Sequence, residues 1–142
     1  MALIQFTKSF ALELISGVHD FSADTFKVAV FSAVAGLSIE TTAYATDGEI
    51  IDTGYTAGGA AVAPSSGYPE LEGTVAAVRF DGLSWTLAAT NLVRYFLLYN
   101  ESKDNRAVCV FDLGDEKSVT GALAISFPLT LDPFVQVRVP VL

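Results

Sequence analysis

The sequence predicts an all-β fold: an antiparallel β-sandwich, jelly-roll-like, with one short N-terminal α-helix. Three observations predict it. Short apolar segments recur from Thr74 to Val139, with turn residues between them at close intervals. A single helical pattern precedes them, at Phe6–Ile15. The chain has 142 residues and no linker long enough to separate a pair of domains, so residues 1–142 read as one domain.

In the helical pattern Phe6, Phe10 and Leu14 recur at spacing four, with Ala11 and Ile15 beside them. Residues on that spacing share one face of a helix. Thr7 or Ser9 can cap its start and Gly17 can end it, which predicts a helix over about 7–16. So short a helix is not stable alone, so its apolar face has to dock on the sheet or on a neighbouring subunit. Thr25–Ser32 alternates as a strand, with Phe26, Val28 and Val30 on one face. Leu37–Tyr44 reads as a single helical turn and Asp47-Gly48-Glu49 as a tight turn. Gly54-Tyr55-Thr56-Ala57-Gly58-Gly59 reads as an ordered loop anchored by Tyr55, leading into a strand at about Gly59–Ala63. Pro64–Pro69 then makes an exposed loop.

The strand series follows as Thr74–Phe80, Leu83–Leu87, Leu92–Tyr99, Ala107–Leu113, Ala122–Phe127 and Phe134–Val139. Its separators are Asp81-Gly82, Asn100 to Asn105, Gly114-Asp115-Glu116-Lys117, Gly121 and Asp132-Pro133. Leu92–Tyr99 is apolar on both faces apart from Arg94, which predicts a central strand or one covered on its second face by the helix or another subunit. Ala107, Cys109, Phe111 and Leu113 are expected on one face. The predicted core is Phe26, Val28, Val30, Trp85, Tyr95, Leu97, Cys109, Phe111, Ile125 and Phe127.

Composition narrows the function classes. Net charge is −8, with only four Lys and four Arg, dispersed along the chain. Polyanionic nucleic acid is a poor partner for such a surface. Hydrophobic residues make up 51% and charged residues 17%. Either some of the surface is covered by copies or partners, or Ala, Ser, Thr and Gly supply a mildly polar surface. No run of about 18 apolar residues marks a membrane span, and Met1–Gln5 lacks the pattern of a signal peptide. Synthesis in the cytoplasm, without Sec-type export, is the expectation. Cys109 is the single cysteine and reads as a small buried hydrophobe.

Reactive chemistry is sparse. His19 is the single histidine, and no G-x-S-x-G nucleophile motif accompanies it. It reads as a helix-exit residue bonded to nearby backbone. The glycines at 54–59 match neither the dinucleotide nor the P-loop spacing, so a phosphate cradle is not expected. Asp47, Glu49 and Asp52, and likewise Asp112, Asp115 and Glu116, can offer oxygens to a cation but lack EF-hand spacing. Solvated turn charges are the plainer reading. The expectation is no enzyme, with no catalytic residue, cofactor or metal.

A set of segments carries a resemblance. Phe6-Thr7-Lys8-Ser9-Phe10, Gly17-Val18-His19-Asp20-Phe21, Thr25–Phe31, Thr42-Ala43-Tyr44, Gly54–Gly59, Trp85-Thr86, Leu98-Tyr99-Asn100 and Ala107–Gly114 together resemble small virion structural proteins of tailed bacteriophages. The likeness runs from Phe6 to about Phe127. It implies a protein of the virion, first as a capsid decoration or cement protein on the outer surface of the head. A neck, tail or fibre-associated position, structural or receptor- or carbohydrate-binding, is the alternative. Implied partners are further copies of the chain and the major capsid or other virion proteins, with no nucleic acid and no membrane. Cement proteins commonly sit at three-fold positions, and that analogy alone suggests a trimer.

The expected contact surface is the N-terminal segment with one or more loops. Leu3, Ile4 and Phe6 are apolar at a terminus, where chains usually expose polar residues. Tyr55 and Tyr68 lie in the Gly- and Pro-rich loops, and Tyr is frequent at interfaces.

Overall fold

A computed structural model describes residues 3–125 and, as backbone, 135–138. The fold is all-β with one short helix. Its elements are β1 (Leu3–Phe6), α1 (Lys8–Ile15), β2 (Phe26–Phe31), β3 (Ala60–Val62), β4 (Glu70–Glu72), β5 (Val75–Val78), β6 (Leu83–Asn100), β7 (Arg106–Ile125) and β8 (Val135–Arg138). One sheet runs β1-β7-β6-β2-β3 and a second β4-β5-β8, and each pairing between these strands is antiparallel. A jelly roll takes two Greek keys over eight strands; the five-plus-three order of the described residues does not by itself make one.

The largest difference from expectation is the length of β6 and β7. Leu83–Leu87 and Leu92–Tyr99 are one strand of 18 residues, and Ala107–Leu113 belongs to a single strand of 20 residues that reaches Ile125. The expected turn at 114–117 and the separator Gly121 lie inside β7. The pairing absorbs them as bulges. Tyr95 faces Asp112 and Val93 faces Lys117, so residues 113–116 are looped out opposite Arg94. Leu87 faces Gly121 and Asn91 faces Val119, so residues 88–90 of β6 stand opposite the single Thr120. Gly114 and Gly121 carry the positive φ angles, 89° and 78°, that such bulges use. A third irregularity falls between Leu98–Cys109 and Tyr99–Ala107, which makes Val108 surplus. One extra residue inverts the alternation. Ala107 therefore faces away from Cys109 and Phe111, contrary to the expected shared face.

The main sheet is buried on both sides. On one, Phe26, Val28 and Val30 of β2 pack with Phe10, Phe80, Trp85, Phe96 and Phe111. On the other, Phe31, Tyr95, Leu97, Tyr99 and Val110 are covered by Ala35, Leu37 and Tyr44. The second cover for β6 is thus the chain's own segment 35–44, and α1 lies on the opposite side. All the predicted core residues within the described chain are buried; Phe127 lies outside the described residues, as do Asp132-Pro133. The expected helical turn at 37–44 is absent. A 3₁₀ turn occupies Ala33–Ala35, and Ser38–Thr41 closes a turn through Thr41 N and Ser38 O.

α1 begins and ends as its sequence dictates. Thr7 Oγ1 accepts from Phe10 N at 3.1 Å. Gly17 adopts φ 77°, Val18 N reaches Glu13 O and Gly17 N reaches Leu14 O, a Schellman closure. Its faces differ from expectation. Phe10 and Glu13 are buried and Leu14 half-buried, while Ala11, Leu12 and Ile15 face solvent. The reason is Glu13, which turns inward to meet Arg106 and His19 and so rotates the helix away from its apolar seam.

Candidate functional site

The N-terminal surface is built on the sheet. β1 pairs with β7 from Leu3↔Asp112 to Phe6↔Cys109, so what reads as a loose apolar terminus is an edge strand. Thr7 continues the ladder through its N–H to Val108 O and caps α1 with its side chain. Phe6 stacks on Phe10 at 5.4 Å, and Phe10 leads into the cluster of Phe21, Phe26 and Phe80. Leu3 is 51% exposed, and Ile4 and Phe6 are also exposed. The three N-terminal residues expected at an interface are therefore together on one ordered strand and reachable from solvent.

The two expected loop tyrosines are different. Tyr55 is buried, its ring 6.0 Å from Trp85. Its hydroxyl donates to Glu49 Oε2 at 2.5 Å and accepts from Val30 N at 3.0 Å. Tyr44 donates to Glu49 Oε1 at 2.7 Å, and Tyr99, stacked on Tyr44, donates to Gly58 O. Burial and Glu49 push the Tyr44 phenol up to about 12 and that of Tyr55 further still. Tyr55 anchors its loop, as expected, but presents no side chain to a partner. Tyr68 is half-buried; its hydroxyl donates to Glu72 and accepts from Arg79 Nε at 2.9 Å. Glu72 raises its phenol above the usual range.

The glycine loop is filled by its own chain. Gly54 N donates to Asp52 Oδ1 and Gly58 N to Glu49 Oε2, each at 2.8 Å, and Gly59 N donates to Thr56 O. Two of these amides already face carboxylates, which would repel a phosphate. The glycines serve close packing instead: a Cβ on Gly59 would sit 1.7 Å from Val28 O, and one on Gly54 1.8 Å from Thr86 O.

The carboxylates that sequence offers to a cation are equally engaged. Asp52 accepts from Gly54 N, Ala88 N, Ala89 N and Asn91 Nδ2, which holds the β6 bulge. Those backbone donors lower its carboxyl to about 2. Asp112 takes Arg94 Nε at 3.0 Å and Gly114 N at 2.8 Å, and Arg94 lowers its pKa. Glu116 accepts from Ala33 N. Among the described residues, no group of three His, Cys, Asp or Glu is placed to share a metal ion.

His19 corrects the sequence reading most clearly. It is buried and bonds to side chains rather than backbone. Nε2 lies 2.9 Å from Glu13 Oε1, and Asn100 Nδ2 lies 3.0 Å from Nδ1. Arg106 closes on Glu13 Oε2 at 2.8 Å. Asn100 Nδ2 also donates to Asp24 Oδ2 at 2.7 Å, and Lys103 pairs with Asp24. Burial raises the Asp24 pKa, but Lys103 and Asn100 outweigh it and bring the carboxyl to about 2. This chain of contacts ties α1, the 20–24 loop, the β6–β7 turn and β7 together. Its one signal in the sequence is the lone polar Glu13 between Leu12 and Leu14.

No helix among the described residues is long and apolar enough to cross a membrane. Compared with known proteins, the chain matches no family model, no curated sequence and no solved structure.

Proposed function

We propose that the chain is a structural protein of a tailed-phage virion. Its first place is as a decoration or cement protein on the outer surface of the head, after synthesis in the host cytoplasm. It acts by protein–protein contact and not by catalysis. The observation that carries this reading is the exposed apolar strand β1, with Leu3, Ile4 and Phe6 fixed on the sheet edge ahead of a capped helix. An ordered apolar edge is suited to packing against a shell protein, because little conformational entropy remains to be lost on docking. Of this surface, Phe6 and the α1 cap Thr7 fall within the segments that resemble virion proteins, whereas Leu3 and Ile4 precede them.

Partners in this reading are the major capsid protein, or another virion protein, and further copies of the chain. The three-fold arrangement comes from analogy with cement proteins alone. The alternative is a neck, tail or fibre-associated module, structural or with receptor or carbohydrate binding. Sugar recognition favours exposed aromatic faces, and the burial of Tyr55 and the pinning of Tyr68 weigh against it. A cryo-EM map of particles of the phage encoding the chain tests the reading. Many symmetric copies on the head, touching the shell through β1, would support it. Density only at the tail or fibres, or no copy in the particle, would overturn the head assignment.

A further inference from the structure

We draw no further inference here: the strongest candidate, the apolar groove beside α1 lined by Leu14, Phe21, Leu71 and Val78, with Leu12 and Ile15 exposed on the helix next to it, carries nothing because nothing in the structure shows what covers it.

Discussion

Asn100 Nδ2 bridges buried His19 Nδ1, at 3.0 Å, and half-buried Asp24 Oδ2, at 2.7 Å. With Asn100 donating, His19 Nδ1 is the acceptor and its Nε2 carries the proton toward Glu13. Asn100 Oδ1 is buried with no partner among the described residues. Replacing Asn100 with Ala takes the donor from buried His19 Nδ1 and one donor from Asp24, which keeps Lys103 and Asp20 N. Leaving a buried polar group unsatisfied costs about 1–3 kcal/mol. Urea denaturation should show a loss of that size with an unchanged slope; a loss too small to resolve would mean the bridge is not structural.

Tyr55 gives a graded test of the loop anchor. Tyr55→Phe keeps the ring against Trp85 but strips Val30 N and Glu49 of a partner, at about 1–3 kcal/mol. Tyr55→Ala also empties the ring's place, for about 3–5 kcal/mol in all. Equal effects of the two variants in denaturation experiments would show that the ring contributes nothing.

Asp24 and Asp52 set an acid limit. Each carboxyl is lowered from 3.8 to about 2 in the folded chain. A depressed folded pKa contributes stability that is complete above the unfolded value and is lost as pH falls through the folded one. Stability should therefore fall between about pH 4 and pH 2. Asp24→Asn and Asp52→Asn should each flatten that fall when thermal midpoints are followed against pH. A variant with the full wild-type slope would contradict the assignment for that residue.

Trp85 is buried between Tyr55 and Phe96. Trp85→Ala should cost about 3–5 kcal/mol in equilibrium unfolding. A change below about 1 kcal/mol would mean that Trp85 is not a core anchor.

Much of this fold could be read from period-two alternation. That signal marked β2, β5, β6 and β7 and the buried faces of Phe26, Trp85 and Phe111, because each side chain's burial follows the pleat. It did not show that β6 and β7 are continuous. Gly114 and Gly121 look like turn residues in sequence, and bulges use the same positive φ. Nor did it find β1, whose four residues are too few to alternate convincingly. The orientation of α1 was missed because Glu13 is held by Arg106 and His19, partners distant in sequence. The low charge content has, in some measure, a local cause: the main sheet is covered on both faces by this chain itself. At the candidate surface, Leu3, Ile4 and Phe6 were legible as an apolar terminus, whereas the burial of Tyr55 depends on Glu49 and Val30 meeting in space.

The central claim is attachment through β1, and particle occupancy of a Leu3→Asp, Ile4→Asp double variant tests it most directly. Both side chains are exposed on an edge strand, but Leu3 lies opposite Asp112, so folding and melting of the free variant are measured alongside. The account predicts that occupancy of purified particles, read by quantitative mass spectrometry, falls about tenfold or more, as when interface anchors are lost. A folded double variant that decorates particles at full wild-type occupancy would contradict it.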